Sequence, residues 1–283
     1  MKQSSFTLQS LYKEGKRQLK EAGVAEADLD AWYLLEEITG VDKAAYYGKP
    51  DRRISGEEKD RYQTLLEQRK KRVPLQYILG KQEFFGRTFR VGKGVLIPRQ
   101  ETELLVEETL KKLHGQERVL DLCTGSGCVI ISLKLQKPSI SAVGSDVSQE
   151  ALAVAEENAK RLNAQVEFRQ GSLFEKIEGK YDLIVSNPPY IPSRVIETLQ
   201  EEVRIYEPRL ALDGEEDGLS FYRVMVKEAG DHLHPGGWLL FEIGHDQGQQ
   251  VADLMRENGY IQVAVKKDLA GLDRVVLGMY NRF

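Results

Sequence analysis

The sequence predicts an α/β protein: a mostly parallel, Rossmann-like sheet with an antiparallel last strand, preceded by a small N-terminal helical bundle. Three observations carry this reading. Up to about residue 72 the apolar positions recur only at helical spacing. From Leu96 onward short apolar runs alternate with amphipathic stretches. A glycine-rich turn, Asp121-Leu-Cys-Thr-Gly-Ser-Gly127, separates the first such run from the helix pattern behind it.

The bundle comes first. Leu8, Leu11, Tyr12, Leu19 and Ala22 share one helical face, and Gly23 suits a stop. Leu29, Trp32, Tyr33, Leu35 and Ile38 form a second stripe, ended by Gly40. A short third helix is expected over 43–47. Ser55-Gly-Glu-Glu58 is a capping box, and Tyr62, Leu65 and Leu66 give the helix behind it an apolar face. Residues 1–72 are read as one domain, either a packing and solubility module or a lid or partner-binding arm. Residues 73–95 are read as a hairpin linker, with strands over 75–80 and 87–91 around a turn at Gly86.

The third segment, 96–283, is the sheet domain. A helix over 102–113 leads into a buried strand over 118–122 and a helix over 129–135. Strand 140–145 precedes helix 150–162, and strands over 165–169 and 181–186 follow. Helix 219–232, strand 237–243 and helix 247–258 continue the alternation. The closing strands, 262–267 and 274–280, lie too close for a crossover and should form a hairpin, which makes one of them antiparallel.

Composition narrows the function classes. At roughly 100–200 residues per domain, a chain of 283 residues fits a large plus a small domain. A net charge of −4 argues against direct nucleic-acid or anionic-membrane binding by the molecule as a whole. Met1-Lys2-Gln3 is followed by polar residues, so no signal peptide is expected, and no run approaches the ~18 apolar residues of a membrane span. Cys123 and Cys128 are the only cysteines and too close to clamp a fold, which favours a reducing cytoplasm. The four histidines have no metal-ligand spacing with them, so no metal is expected. A monomer is the default expectation.

The glycines of the 121–127 turn permit close approach of backbone to ligand. Asp146 ends the next strand about 20 residues on, where a carboxylate can accept hydrogen bonds from both ribose hydroxyls. A nucleoside-bearing cofactor follows. Dinucleotide binders place glycine at the first position and another inside the helix; this turn has Cys123 and no such third glycine. The pattern resembles the acidic-x-G-x-G-x-G loop of S-adenosylmethionine-dependent methyltransferases. That resemblance assigns cofactor contacts to Asp121, Cys123, Thr124, Gly125, Ser126, Gly127 and Asp146. It also assigns them to Ser172 and Leu173 in the turn Gly171-Ser-Leu-Phe174, beside the adenine. Cysteine at position 123 would be strained at positive φ. Ser172 stands where such enzymes usually carry an acidic residue. Asp121 is either a contact to the cofactor's amino group or a structural carboxylate.

The apolar run Tyr-Asp-Leu-Ile-Val185 ends in Ser-Asn-Pro-Pro-Tyr190. Asn187-Pro188-Pro189-Tyr190 resembles the D/N/S-P-P-Y/F motif of methyltransferases that modify planar NH₂ nitrogens. The chemistry explains the residues. A delocalised amide or adenine nitrogen needs two acceptors to hold its N–H groups in line with the methyl donor. The Asn187 side-chain oxygen and the Pro188 carbonyl are candidates, stiffened by the prolines. The Tyr190 ring offers a face to the planar group. Asn187 is therefore both a catalytic candidate and the neighbour of the cofactor. Adenine in nucleic acid and glutamine in protein both satisfy this pattern. A rigid turn, or a non-catalytic module with this fold, is the bland alternative.

Further segments extend the resemblance over nearly the whole chain. Pro74-Leu-Gln-Tyr-Ile-Leu-Gly80, Glu83-Phe-Phe-Gly86, Val95-Leu-Ile-Pro-Arg99, Glu101-Thr-Glu103, Glu207-Pro-Arg-Leu-Ala-Leu212 and Asp217-Gly-Leu219 are similar to the HemK-type protein glutamine methyltransferases. Gln100 departs from the proline common there. The resemblance implies S-adenosyl-L-methionine as cofactor, S-adenosyl-L-homocysteine as product, and the Gly-Gly-Gln glutamine of class I peptide chain release factors as substrate. A related group acts on a large-subunit ribosomal protein. It also implies that the helical domain helps to dock the release factor. The basic run Arg69-Lys-Lys-Arg72 is a solvated helix end or a contact to RNA or an RNA-bound partner. Phe84, Phe85 and Phe89 are pocket walls or core, and Arg99 is a contact to a substrate carbonyl or part of an interdomain ion pair.

Overall fold

The computed structural model describes residues 6–281. They form two compact units: one runs to Gly80 and takes in Glu201–Tyr206, the other comprises Lys81–Gln200 and the residues from Glu207 onward. The first unit is helical, with α1 (Leu8–Glu21), α2 (Ala27–Thr39), α3 (Lys43–Gly48), α4 (Gly56–Lys70) and α5 (Leu75–Leu79). Thr7 caps α1, Asp42 caps α3, and the Ser55–Glu58 box caps α4. Leu8, Leu19, Trp32, Leu35, Tyr62 and Leu66 fill its core. A Cβ at Gly15 would lie 2.0 Å from the Tyr62 hydroxyl, so glycine there admits the ring.

Two expectations for this region need correction. Residues 75–80, read as a strand, are the helix α5. Pro74 precedes it and Gly80 closes it at φ 68°. Leu75, Ile78 and Leu79 meet the bundle core at i, i+3, i+4 spacing, a pattern that a short apolar run does not separate from a strand. The hairpin lies further on, as β1 (Lys81–Phe84) and β2 (Arg87–Arg90). Phe85 at φ 49° and Gly86 at φ 70° make the tight turn that suits the strands' twist. Within the run 69–72 the two arginines are not solvated ends: Arg69 is buried against Asp30 and Glu202, and Arg72 also pairs with Glu202, while Lys71 is exposed.

In the second unit α6 (Thr102–Leu110), β3 (Arg118–Leu122), α7 (Cys128–Gln136), β4 (Ser141–Asp146), α8 (Gln149–Arg161), β5 (Glu167–Gln170) and β6 (Tyr181–Ser186) follow in chain order. Residues 191–218, to which the sequence pattern assigns no element, hold α9 (Ser193–Ile196), α10 (Glu201–Tyr206, part of the first unit) and a 3₁₀ turn at Arg209–Ala211. Then come α11 (Ser220–His232), β7 (Leu233–Glu242), α12 (Gly248–Glu257), β8 (Tyr260–Lys267) and β9 (Asp273–Tyr280).

The sheet order is β5-β4-β3-β6-β7-β9-β8. Pairing is parallel from β5 through β7. The last strand, β9, is antiparallel and inserts between β7 and the edge strand β8. Both faces are covered. Leu120, Ile184 and Phe241 pack on one side with Tyr222 and Met225, while Val119, Leu183 and Val185 pack on the other with Leu105 and Ile131. That is why β3 and β6 read as continuous apolar runs. Chain order reverses beside β3, whose neighbours are β4 and β6, and the carboxyl ends there are the ligand crevice of such sheets.

Candidate active site

The loop after β3 turns at Cys123 (φ 59°), Gly125 (φ 55°) and Gly127 (φ 77°). Cysteine in this left-handed region carries the strain its Cβ implies, and burial pushes its thiol up. The loop is held from several sides. The Thr124 N–H donates to the Ser145 carbonyl at 3.0 Å, and its hydroxyl to Asp121 Oδ2 at 2.6 Å. Asn158 Nδ2 donates to the carbonyls of Ser126 and Arg90 at 3.0 and 3.1 Å. A Cβ on Gly127 would meet Ile131 Cδ1 at 2.8 Å, so this glycine packs the loop onto α7.

Asp146 ends β4 and accepts from the Gly125 and Ser148 N–H groups, each at 2.9 Å. Burial raises its pKa against these donors. Asp121 is buried, and burial pushes its carboxyl up to about 7. A cleft opens over these strand ends. Of the sequence-predicted residues, Cys123, Gly125, Asp146, Ser172, Leu173, Asn187 and Pro189 line it. Asp121, Thr124 and Ser126 line a smaller cavity that shares Leu96, Cys123, Gly125 and Asn187 with it. Gly127, Pro188 and Tyr190 line neither. Ser172 is exposed, and Leu173 stands at φ 48°.

The tetrad leaves β6 beside β7, because Ser186 pairs with Phe241 in the parallel register. Asn187 Nδ2 donates to Thr102 Oγ1 at 3.3 Å. The Tyr190 hydroxyl donates to Glu242 Oε1 at 3.3 Å, and Gln247 Nε2 donates to the Tyr190 carbonyl at 3.0 Å. Burial raises the Tyr190 pKa, with the nearby Glu242 charge adding to it, so the phenol stays a donor. Gly218 passes so close that a Cβ would sit 2.3 Å from the Tyr190 carbonyl oxygen.

Several lining residues carry no prior assignment. Gly94, Val95 and Leu96 form one edge of the cleft, Val147 and Ser148 another, and Pro208, Leu210, Ala211 and Phe221 the side toward α11. The quoted segments 95–99 and 207–212 contain two of these groups, but nothing in their spacing tells a cleft wall from a turn. Glu207 links them: it accepts from Arg99 and, at 3.0 Å, from the Ile97 N–H. Arg99 is thus paired inside the second unit. Phe84 and Phe89 are core residues in edge-to-face contact at 5.9 Å, and Phe85 packs against the same cluster.

Comparison with known proteins adds two family models. The PrmC N-terminal domain matches residues 10–80 and the methyltransferase small domain matches residues 99–269. The release factor glutamine methyltransferase of Geobacter sulfurreducens is 46% identical over 261 residues, 92% of each chain. That of Caulobacter vibrioides is 42% identical over 282 residues, 98% of each chain. Among solved structures, a methyltransferase from Pyrococcus furiosus superimposes with a TM-score of 0.54 at 20% identity, over 70% of this chain and 91% of that one. A Thermus thermophilus 16S rRNA N2 G1207 methyltransferase, in complex with AdoMet and guanosine, gives 0.53 at 16% identity, over 71% and 50%. These two share the fold.

Proposed function

The chain belongs to the release factor glutamine methyltransferases, and from that premise we propose that it methylates the side-chain amide nitrogen of the glutamine in the Gly-Gly-Gln motif of class I peptide chain release factors, using S-adenosyl-L-methionine. The observation that carries the reading is that Asn187 lines the same cleft as Cys123, Gly125 and Asp146. A hydrogen-bonding asparagine at the strand end thus shares one space with the cofactor loop.

The donor set fits the cofactor. An ionised carboxylate has about four acceptor sites, so Asp146 keeps capacity for two ribose hydroxyls beyond its bonds to Gly125 and Ser148. Cys123 to Gly127 would hold the methionine part, with Asp121 toward its amino group, and Ser172 and Leu173 would stand beside the adenine. When bound, S-adenosylmethionine supplies an activated methyl group and leaves as S-adenosylhomocysteine. The protein's part is orientation. Asn187 Oδ1 and the Pro188 carbonyl would each accept one N–H of the substrate amide, and the fixed prolines spare the turn any reordering during reaction. Tyr190 would present its ring to the amide plane. Water takes the proton released after transfer, so no dedicated base is required. The flanking glycines of the substrate motif have no side chains to obstruct a narrow entry.

Among the described residues no helix is long and apolar enough to cross a membrane; a cytoplasmic site of action fits a release factor substrate. The test is label transfer from S-adenosylmethionine to purified release factor, large-subunit ribosomal protein or DNA, each offered alone. Label on the release factor that vanishes when its Gly-Gly-Gln glutamine is replaced by alanine is the expected result. Label on the ribosomal protein alone would reassign the substrate, and label on DNA alone would overturn glutamine as the target.

A further inference from the structure

The tetrad is held by a residue outside it. Glu242 is the last residue of β7, only 1% exposed, and abreast of Asn187 because Ser186 pairs with Phe241. Its Oε1 accepts from the Tyr190 hydroxyl. Burial pushes the Glu242 carboxyl up to about 7, and Thr102, at the start of α6, is buried as well. The Thr102 hydroxyl oxygen accepts from Asn187 Nδ2. A carboxamide whose nitrogen is committed to Thr102 turns its oxygen the other way. Glu242 Oε2 is buried with no hydrogen-bond partner. A buried carboxylate left half-satisfied is destabilising in itself, so packing alone gives no reason for one beside the tetrad.

We propose that Glu242 and Thr102 are positioning residues for methyl transfer: Glu242 fixes the Tyr190 ring and Thr102 the Asn187 carboxamide, so that the Asn187 oxygen faces the substrate amide. This rests on the glutamine methyltransferase reading above. The backbone around it is already anchored, with the Tyr222 hydroxyl donating to the Glu242 carbonyl at 2.8 Å and Arg274 Nη1 to the Ile243 carbonyl at 3.3 Å. The side chain is therefore not needed to anchor its own backbone.

Misplacing reacting groups by about 1 Å costs on the order of 100-fold in rate. Glu242→Ala should lower kcat for release factor methylation by about that factor, while the Kd for S-adenosylmethionine by calorimetry stays within about threefold. Glu242→Gln keeps an acceptor for Tyr190 and should recover most of the lost kcat. Thr102→Val should lower kcat and Thr102→Ser restore it. On an Asn187→Ala background Thr102→Val should add no further loss, because both act through one side chain. Unchanged kcat in both Glu242→Ala and Thr102→Val would overturn the proposal. So would Glu242→Gln no better than alanine, or full additivity of the Asn187 and Thr102 changes. If Glu242→Ala fails to fold, Tyr190→Phe, which removes the same hydrogen bond, takes its place, and unchanged kcat there would overturn the role of Glu242. Wild-type protein that labels no release factor would instead remove the functional reading, and that control is run first.

Discussion

Arg69 Nε donates to Asp30 Oδ2 at 2.7 Å, and both side chains are only 7% exposed. The same guanidinium reaches Glu202 at 2.9 Å, and Arg72 meets that carboxylate's other oxygen at 2.8 Å. Burial raises the Asp30 pKa and Arg69 pulls it back, so removing the arginine strands Asp30 and leaves Glu202 with Arg72 alone. Breaking a buried pair costs about 3–5 kcal/mol. Arg69→Ala should lower the unfolding free energy of the helical unit by that order, read in chemical denaturation, and should speed amide exchange across 201–206. Arg69→Lys should not restore it, since one ammonium does not reproduce the guanidinium fork. Stability within error of wild type would show the network to be inert.

Asn187→Ala should lower turnover sharply, to a residual but measurable rate, while S-adenosylmethionine still binds. Loss of a preorganised acceptor costs roughly 100- to 1,000-fold in kcat, and S-adenosylmethionine should still bind in a calorimeter. Near-normal turnover would remove the tetrad from the mechanism.

Glu207 ties the 95–99 segment to the 207–212 segment, and both contribute residues to the cleft lining. A hydrogen bond to a charged group is worth roughly 1.5–3 kcal/mol. Glu207→Ala should therefore weaken S-adenosylmethionine binding by about tenfold or more, with Glu207→Gln intermediate. An unaltered Kd in the alanine variant would mean that the walls hold their shape without this tie.

Asp121 makes stability depend on pH. Its folded pKa is pushed up to about 7 by burial, above its ordinary value. Between the two values the native state binds more protons than the unfolded chain, so stability falls as pH rises through the window from about 4 to 7. One such group contributes at most about 1.4 kcal/mol per pH unit. Asp121→Asn should flatten the unfolding free energy between pH 5 and pH 8, in roughly that window, and should gain most over wild type at the alkaline end. Parallel curves for the two proteins would show that the carboxyl does not titrate there.

Much of the fold was legible because its signals are local. The Ser55–Glu58 box, the alternation after Leu96 and the closing hairpin were readable as pattern, and each appears in the structure. Asp146 and Asn187 were readable because strand ends at the switch point are where such sheets bind ligands. The misread strand at 75–80 shows the limit: five apolar-rich residues satisfy two periodicities, and packing on the bundle core chose the helix. Residues 191–218 gave no periodic signal, and ion pairs such as Arg69–Glu202 and Arg209–Glu197 tie this stretch down.

The amino-acid sequence by itself determined the fold class, the glycine-rich loop with its acidic partner, and the asparagine-proline turn, since all of these depend on residues close together in the chain. Tertiary structure alone decided that Arg69 reaches Glu202 across 133 residues, Asn187 reaches Thr102 across 85, and Tyr190 reaches Glu242 across 52. Such pairings follow from strand register, helix placement and burial, and a hydrogen bond of about 3 Å leaves no room for a shift by one residue.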